Sequence, residues 1–330
     1  MAKVQDMPRA SRPMLLSWRV WWQVLGRVWV EADQKNVGLN AAGVAFYALL
    51  SIFPALAALI ALWGYFADPA MLRGQLDVAQ RLLPPQAFTI LNDQVAALVA
   101  ANRSTLQLTS LVSILVAVWT ARNGVASLIR GLNSIYRQGH RANPLRRYFV
   151  AVLLTVILIL VGFLAFASVV VMPAMLAFLP LPGGVEAAIT AGKWVIVLLV
   201  VFFGICLLYR YGPNRRSARV PWITTGAVLA TVLWAASSAA FSIYLRNFGS
   251  FNEVYGSLGA VVALLVWFYI SAFLVLLGAQ LNAELELATR DDTTIGRRRP
   301  AGARDAYVAD HVKGPEGETR LAGPVRTSEE

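Results

Sequence analysis

Charge, cysteine and histidine are all scarce in this chain. Charged residues fill 14% of its 330 positions, against 58% apolar residues, and its mean hydropathy is +0.59. A water-soluble domain carries about a quarter charged residues, so too little polar surface is present to cover a soluble ball of this length. That excludes a soluble enzyme, a secreted disulfide scaffold and a disordered protein. The single cysteine, Cys206, has no partner for an intrachain disulfide and founds no cysteine-based metal cluster. The two histidines, His140 and His311, lie outside the long apolar runs, so no zinc site of the His-Glu-x-x-His kind can form. A Gly-x-x-x-x-Gly-Lys-Ser/Thr phosphate loop is missing as well. Tyr255 to Gly259 has the outline of an intramembrane serine nucleophile, but no span offers it a histidine as base. Close helix contact is the favoured reading of Gly256, Ser257 and Gly259.

Long apolar runs are what the chain has in excess. Six are long enough to cross a bilayer, which takes about 20 helical residues; they cover 40–66, 105–123, 148–179, 187–209, 220–246 and 257–283. The predicted class is all-α, a polytopic membrane protein with six transmembrane helices plus interfacial amphipathic helices. Pro54 should kink the first span, with Ser51 helping to satisfy the freed backbone group, and Pro173 should bend or end the third.

Acidic residues are fewer than basic ones, 18 against 29. The basic residues fall six before the first span, six in 122–147, four in 210–219 and eight after 283, leaving five for the other side. By the positive-inside rule both termini and the two even-numbered loops are expected in the cytoplasm. Arg19 and Arg27 interrupt the first strongly apolar stretch, so no cleavable signal sequence is expected.

Three further segments divide the chain. Residues 1–38 form an amino-terminal segment in which Leu15, Trp18, Trp22, Leu25 and Trp29 repeat at helical spacing, with Arg19, Gln23 and Arg27 on another face. A helix in the membrane interface is the expectation, and a soluble helix packed on the bundle is the alternative. The connection 68–104 is amphipathic and reads as a surface hairpin rather than a lid. Residues 288–330, rich in Gly, Pro, Arg and Glu without periodicity, read as a disordered tail. Arg297, Arg298 and Arg299 there are either a lipid contact or a solvated patch. The six-helix domain is assigned to 39–287.

Two constellations could carry chemistry. From Trp119 the helix is expected to leave the membrane and run along its cytoplasmic surface, with Arg122, Asn123, Ser127, Arg130, Ser134 and Arg137 at helical spacing. These arginines either hold a phosphate or carboxylate or serve as snorkelling anchors, the latter favoured about two to one. The second constellation is the outer turn from Tyr244 to Ser257, with Arg246, Asn247, Glu253 and Tyr255. Arg246 and Glu253 could form a gate at the outer mouth; a structural cap that reverses the chain is slightly favoured.

The blocks Ala45 to Pro54, Trp119 with Leu132-Asn133-Ser134-Ile135-Tyr136, Tyr211 to Arg215, Tyr244 to Gly259 and Gly278-Ala279-Gln280-Leu281-Asn282-Ala283-Glu284 together resemble the YihY / virulence factor BrkB membrane proteins, once labelled ribonuclease BN-like. The resemblance runs from about residue 30 to 287 and implies six spans in a bacterial inner membrane. Many relatives carry Glu where this chain has Gln280. The nuclease label fits poorly here: metal-assisted hydrolysis needs clustered carboxylates or histidines, while Glu284 and Glu286 are two apart and point different ways.

The functional expectation is a non-enzymatic protein that binds or transports an amphipathic or anionic solute, with Arg246, Asn247, Glu253, Tyr255, Arg122, Asn123, Arg130, Tyr47 and Gln280 as candidate binding residues. Polar span residues such as Asn40, Ser51, Ser113, Thr231, Ser237 and Ser238 would line a cavity, or else bond to their own helices. A non-transporting envelope scaffold is the alternative, and ribonuclease the least favoured. Membrane lipids are expected partners; nucleic acid, metal and cofactor are not.

Overall fold

The computed structural model describes residues 9–66, 103–139, 141, 143–176, 183–247, 257–314 and 317–322. A helix α1 (Trp18–Gln34) precedes six long helices: α2 (Val37–Phe66), α3 (Arg103–Ile135), α4 (Pro144–Leu176), α5 (Gly183–Tyr211), α6 (Val220–Asn247) and α7 (Ser257–Glu286). A one-turn helix α8 (Tyr307–Asp310) and two short strands, β1 (His311–Lys313) and β2 (Thr319–Leu321), follow. Each long helix contains a segment apolar enough to cross a membrane, six in all among the described residues. The all-α, six-span class is therefore as expected; α5, α6 and α7 end within a few residues of the expected limits, whereas α3 runs 12 residues past the expected end of the second span.

Local chemistry explains several helix ends. Asn143 caps α4: its Oδ1 accepts from the N–H groups of Leu145 (2.9 Å) and Arg146 (3.3 Å). Pro144 then occupies the first helical position, where a missing N–H costs nothing. Between α1 and α2 only Lys35 and Asn36 intervene, and Asn36 takes a left-handed φ of 52° to turn the chain.

The chain divides into two compact units, one comprising Met1–Ala45 and Gly124–Glu330, the other Phe46–Asn123. In the smaller unit α2 continues through Pro54. Ser51 Oγ donates to the carbonyl of Ala48 at 2.7 Å, whereas Pro54 frees the carbonyl of Leu50, so the expected rescue by Ser51 is not made.

In the larger unit α6 and α7 form the most extensive helix pair, followed by α4 with α5. Gly226 and Gly278 make the first pairing possible. A Cβ on Gly226 would strike the Gly278 carbonyl and lie 2.7 Å from Asn282 Oδ1; one on Gly278 would strike the Gly226 carbonyl and lie 2.6 Å from Tyr209 Oη. Without side chains the two backbones touch, the usual device for helix association where hydrocarbon supplies no hydrophobic drive. The core beside this contact is filled by Leu132, Ile135, Tyr136, Tyr209, Trp222 and Leu276.

Two expectations fail here. Residues 124–135 continue the helix of the second span as expected, but they do not lie along a surface: Val125, Ile129, Leu132 and Ile135 are buried. A face of four apolar residues gains more from packing between helices than from lying on a polar surface. The carboxy-terminal segment is not disordered over 288–314 and 317–322 either. β1 pairs antiparallel with β2, and Val308 and Val312 are fully buried. Arg304 donates to the carbonyls of Arg299 (3.1 Å), Arg290 (3.3 Å) and Ala309, and Asp310 accepts from the N–H of Gly302 (2.6 Å) and of Arg304 (3.1 Å). Charged side chains thus satisfy the backbone that helix or sheet would otherwise satisfy, which composition does not reveal. Arg299 is engaged with Asp305 at 2.6 Å.

Candidate functional site

The last two turns of α7 place four polar side chains on distinct faces. Gln280 and Glu284 are one turn apart and share one face; Asn282 and Glu286 share another. All four are fully buried. Asn282 faces α6, accepting from Gly226 N–H at 2.7 Å and donating to the Ile223 carbonyl at 3.0 Å. It ties the two helices together beside their glycine contact.

Glu286 is held in a closed arrangement. Arg215, from the connection between α5 and α6, donates both terminal nitrogens to it, at 3.0 and 2.7 Å. The guanidinium lies over the Tyr136 ring, 4.0 Å from its centre, and Thr293 Oγ donates to Glu286 Oε2 at 2.7 Å. This bidentate, stacked geometry is the one in which a buried ion pair recovers its desolvation cost. Burial pushes the Tyr136 phenol upward, so it stays protonated.

Glu284 is held differently. Gln280 Nε2 donates to its Oε1 at 3.2 Å. Two ammonium groups approach, Lys35 at 3.9 Å from Oε1 and Lys313 at 3.6 Å from Oε2, and Oε2 accepts no hydrogen bond among the described residues. Lys35 Nζ also contacts Glu31 Oε2 at 3.3 Å, Gln280 Oε1 at 3.3 Å and the Ile135 carbonyl at 3.2 Å. Lys313 Nζ donates to Glu31 Oε1 at 2.6 Å, and Arg137 reaches Glu31 Oε2 at 3.4 Å. Burial alone would raise the Glu31 pKa, but the hydrogen bond from Lys313 and the charges of Lys35 and Lys313 prevail and hold it down at about 2. Burial pulls the Lys35 ammonium below its ordinary range, against the opposing pull of Glu284 and Glu31. Three cations thus meet two carboxylates and one amide in a pocket assembled from α1, the end of α3, α7 and the carboxy-terminal segment.

That segment reaches the pocket through β1. The Lys313 N–H donates to the Leu287 carbonyl at 2.8 Å, which fixes the backbone while its side chain enters. Arg137 also lies against Tyr307, whose ring stacks on His311 with centres 4.0 Å apart. Further along, Ala10 N–H donates to Thr289 Oγ at 3.0 Å, and Arg219 donates to the carbonyls of Thr293 and Thr294 at 2.8 and 3.0 Å. The amino- and carboxy-terminal segments therefore share one end of the bundle.

Of the residues expected from the sequence, Gln280 joins this network as a neutral bridge between Lys35 and Glu284. Arg130 donates to Ser127 Oγ at 2.5 Å. In the smaller unit Arg122 donates to Asn123 Oδ1 at 2.9 Å, and Tyr47 makes an edge contact with Phe46. Arg246 and Asn247 are the last two residues of α6, while Glu253 and Tyr255 lie outside the described residues, as do 67–102. The reading that separated Glu284 from Glu286 agrees with the structure: they enter different networks.

Sequence reasoning missed Glu31, Lys35, Arg137, Arg215, Asn282 and Lys313 as a set. The available signals were an i,i+4 Glu–Lys pair just before a span and the blocks around Asn133, Arg215 and Gln280. Those blocks converge here: Asn214 N–H donates to Asn133 Oδ1 at 2.8 Å, and Arg141 donates to the carbonyls of Tyr211, Gly212 and Pro213.

Comparison with known proteins agrees with this convergence. The profile of the Virulence factor BrkB family matches residues 28–303, from α1 into the carboxy-terminal segment. A ribonuclease-like protein, YfkH, of Bacillus subtilis (strain 168) is 31% identical over 265 residues, covering 74% of this chain and 89% of that protein. A UPF0761 membrane protein of Alkalilimnicola ehrlichii is 28% identical over 81% of this chain and 58% of its own length. Another from Pseudoalteromonas atlantica is 26% identical over 85% of this chain and 92% of its own. No solved structure matches.

Proposed function

The chain belongs to the Virulence factor BrkB family of membrane proteins, and from that premise we propose that it is a non-enzymatic inner-membrane protein that binds and passes an amphipathic or anionic solute, with its carboxy-terminal segment closing one end. The observation carrying this reading is the Glu284 pocket. Four charged groups, Glu31, Lys35, Glu284 and Lys313, are withdrawn from solvent at a bundle end where apolar packing would be cheaper, with the more exposed Arg137 at their edge. Charged groups retained inside membrane bundles usually serve a pathway or a switch. One of the cations, Lys313, arrives on a segment that can withdraw without unfolding a span. The distribution of Lys and Arg supports placing this closed end, and both termini, in the cytoplasm.

Ribonuclease chemistry gains nothing from the arrangement. Glu284 and Glu286 belong to separate networks, and each faces cations that would repel a metal ion. The name of the Bacillus relative is thus a poor guide to this chain.

A scaffold without a transport cycle is favoured by a separate observation. Asn40, Ser51, Thr155 and Thr231 each bond to a carbonyl of their own helix, at 2.7 to 2.9 Å, and so offer little to a solute.

The deciding experiment is a flux assay in proteoliposomes with a fluorescent phosphatidylglycerol analogue and a membrane-impermeant reductant. Transport predicts exchange above that of empty vesicles, and faster exchange in Lys313→Gln. Wild type and Lys313→Gln both matching empty vesicles would overturn the transport reading in favour of the scaffold.

A further inference from the structure

The outward face of α1, with Leu15 in the turn just before it, lies open among the described residues. Leu15, Trp18, Trp22, Leu25 and Trp29 are 41–70% exposed, whereas Val24, Val28 and Glu31 on the opposite face are buried, where α1 packs on α7. These large apolar side chains form a continuous exposed stripe, which water does not tolerate well.

The geometry points to an in-plane membrane helix, with an anionic lipid surface as the occupant of this face. Three observations favour lipid over a protein partner. First, α1 is joined to the first span by two residues, and the left-handed Asn36 turns the chain between them. A helix hinged this closely to the end of a span lies at the level of the bilayer surface. Second, three of the five residues are Trp, whose amphipathic ring prefers the headgroup region. Third, the flank of the stripe is basic: Arg19 is exposed and Arg27 partly so, while the acidic residues of α1, Glu31 and Asp33, lie in its last turn. Basic residues beside an apolar stripe complement an anionic leaflet, at about 1 kcal/mol each near the surface. This inference does not depend on solute transport. It gives α1 two roles, one face on lipid and the other supplying Glu31 to the buried pocket.

The test uses the full chain in nanodiscs, with Cys206→Ser and single cysteines at Trp22, Trp29 and Gln34, an exposed control away from the stripe, each carrying a bimane label. Discs contain dibrominated phosphatidylcholine, with or without phosphatidylglycerol. The expected result is at least a twofold loss of emission from labels at 22 and 29 in brominated discs, with little quenching by aqueous iodide. The label at 34 should behave in the opposite way. Adding phosphatidylglycerol should deepen bromolipid quenching, and Arg19→Gln/Arg27→Gln should abolish that increment. Labels at 22 and 29 open to iodide would overturn the proposal. Labels shielded from both quenchers would overturn it in favour of a protein partner, including a second copy. Quenching unaffected by phosphatidylglycerol would overturn the anionic specificity.

Discussion

Glu284 and Glu286 are two residues apart on one helix, both fully buried, yet their surroundings differ in kind. Glu286 has a bidentate arginine, a hydroxyl donor and an aromatic platform beneath its partner. Glu284 has one amide donor, two ammonium groups at 3.6 and 3.9 Å, and an oxygen with no hydrogen bond among the described residues. In the first arrangement both carboxylate oxygens accept hydrogen bonds, and the atom without a partner among the described residues is Arg215 Nε. The second is balanced by charge rather than by fitted hydrogen bonds, and one of its cations comes from a segment outside the bundle. Satisfied networks resist change, whereas loosely satisfied ones can exchange partners.

The largest expected effect breaks the tight pair. Arg215→Ala leaves Glu286 buried without a counter-charge, held by Thr293 alone, which typically costs about 3–5 kcal/mol. Thermal unfolding in detergent should show a large drop in Tm and membrane abundance should fall with it. If Arg215→Ala destabilises no more than Lys313→Gln, the contrast between the two carboxylates is lost.

Next comes the helix contact that supports both sites. Gly226→Ala inserts a methyl group against the Gly278 carbonyl, and overpacking of this kind costs about 1–3 kcal/mol. Backbone-on-backbone contact leaves little room for relief, so the loss should fall at the upper end of that range. A Tm unchanged by Gly226→Ala would contradict the close approach of α6 and α7.

Lys313→Gln should cost about 1–3 kcal/mol, the range for a charge-assisted hydrogen bond, and the loss should be local. Limited proteolysis should cut the carboxy-terminal segment faster while the bundle remains intact. Parallel loss of segment and bundle would make this pocket as structural as its neighbour.

Acid sharpens the comparison further. The folded pKa of Glu31 is about 2, below its ordinary value of 4.5, so its stabilising effect is complete above about pH 4.5 and is lost as pH falls toward 2. The Tm difference between wild type and Glu31→Gln should therefore be constant at neutral pH and shrink below about 4.5. A difference that grows on acidification would reverse the assigned sign. The smallest effect belongs to the exposed pair Arg299–Asp305: Arg299→Ala should change stability by about 0–1 kcal/mol.

How much of this was legible beforehand follows from the range of the forces involved. The spans were readable because each is a local run of apolar residues, and a helix satisfies its own backbone wherever lipid is the solvent. Gln280 could be singled out by its block, and Glu284 and Glu286 could be separated by helical period alone. The partners could not be found this way. Glu31, Lys35 and Lys313 are separated by up to 282 positions, and no spacing rule relates them. The carboxy-terminal segment misled for the same reason: its composition matches disordered chains, while its order comes from Arg304, Asp310 and Lys313 reaching distant carbonyls and carboxylates.

Sequence by itself thus determined the class, the number of spans and the unequal distribution of positive charge, because hydropathy and charge act residue by residue against the solvent. Only the tertiary structure decided that two neighbouring glutamates would live in a closed and an open network, and that a lysine near the end of the chain would complete the latter. Those outcomes depend on which groups are brought within about 4 Å of one another after desolvation, where an ion pair gains or loses several kcal/mol by its geometry alone.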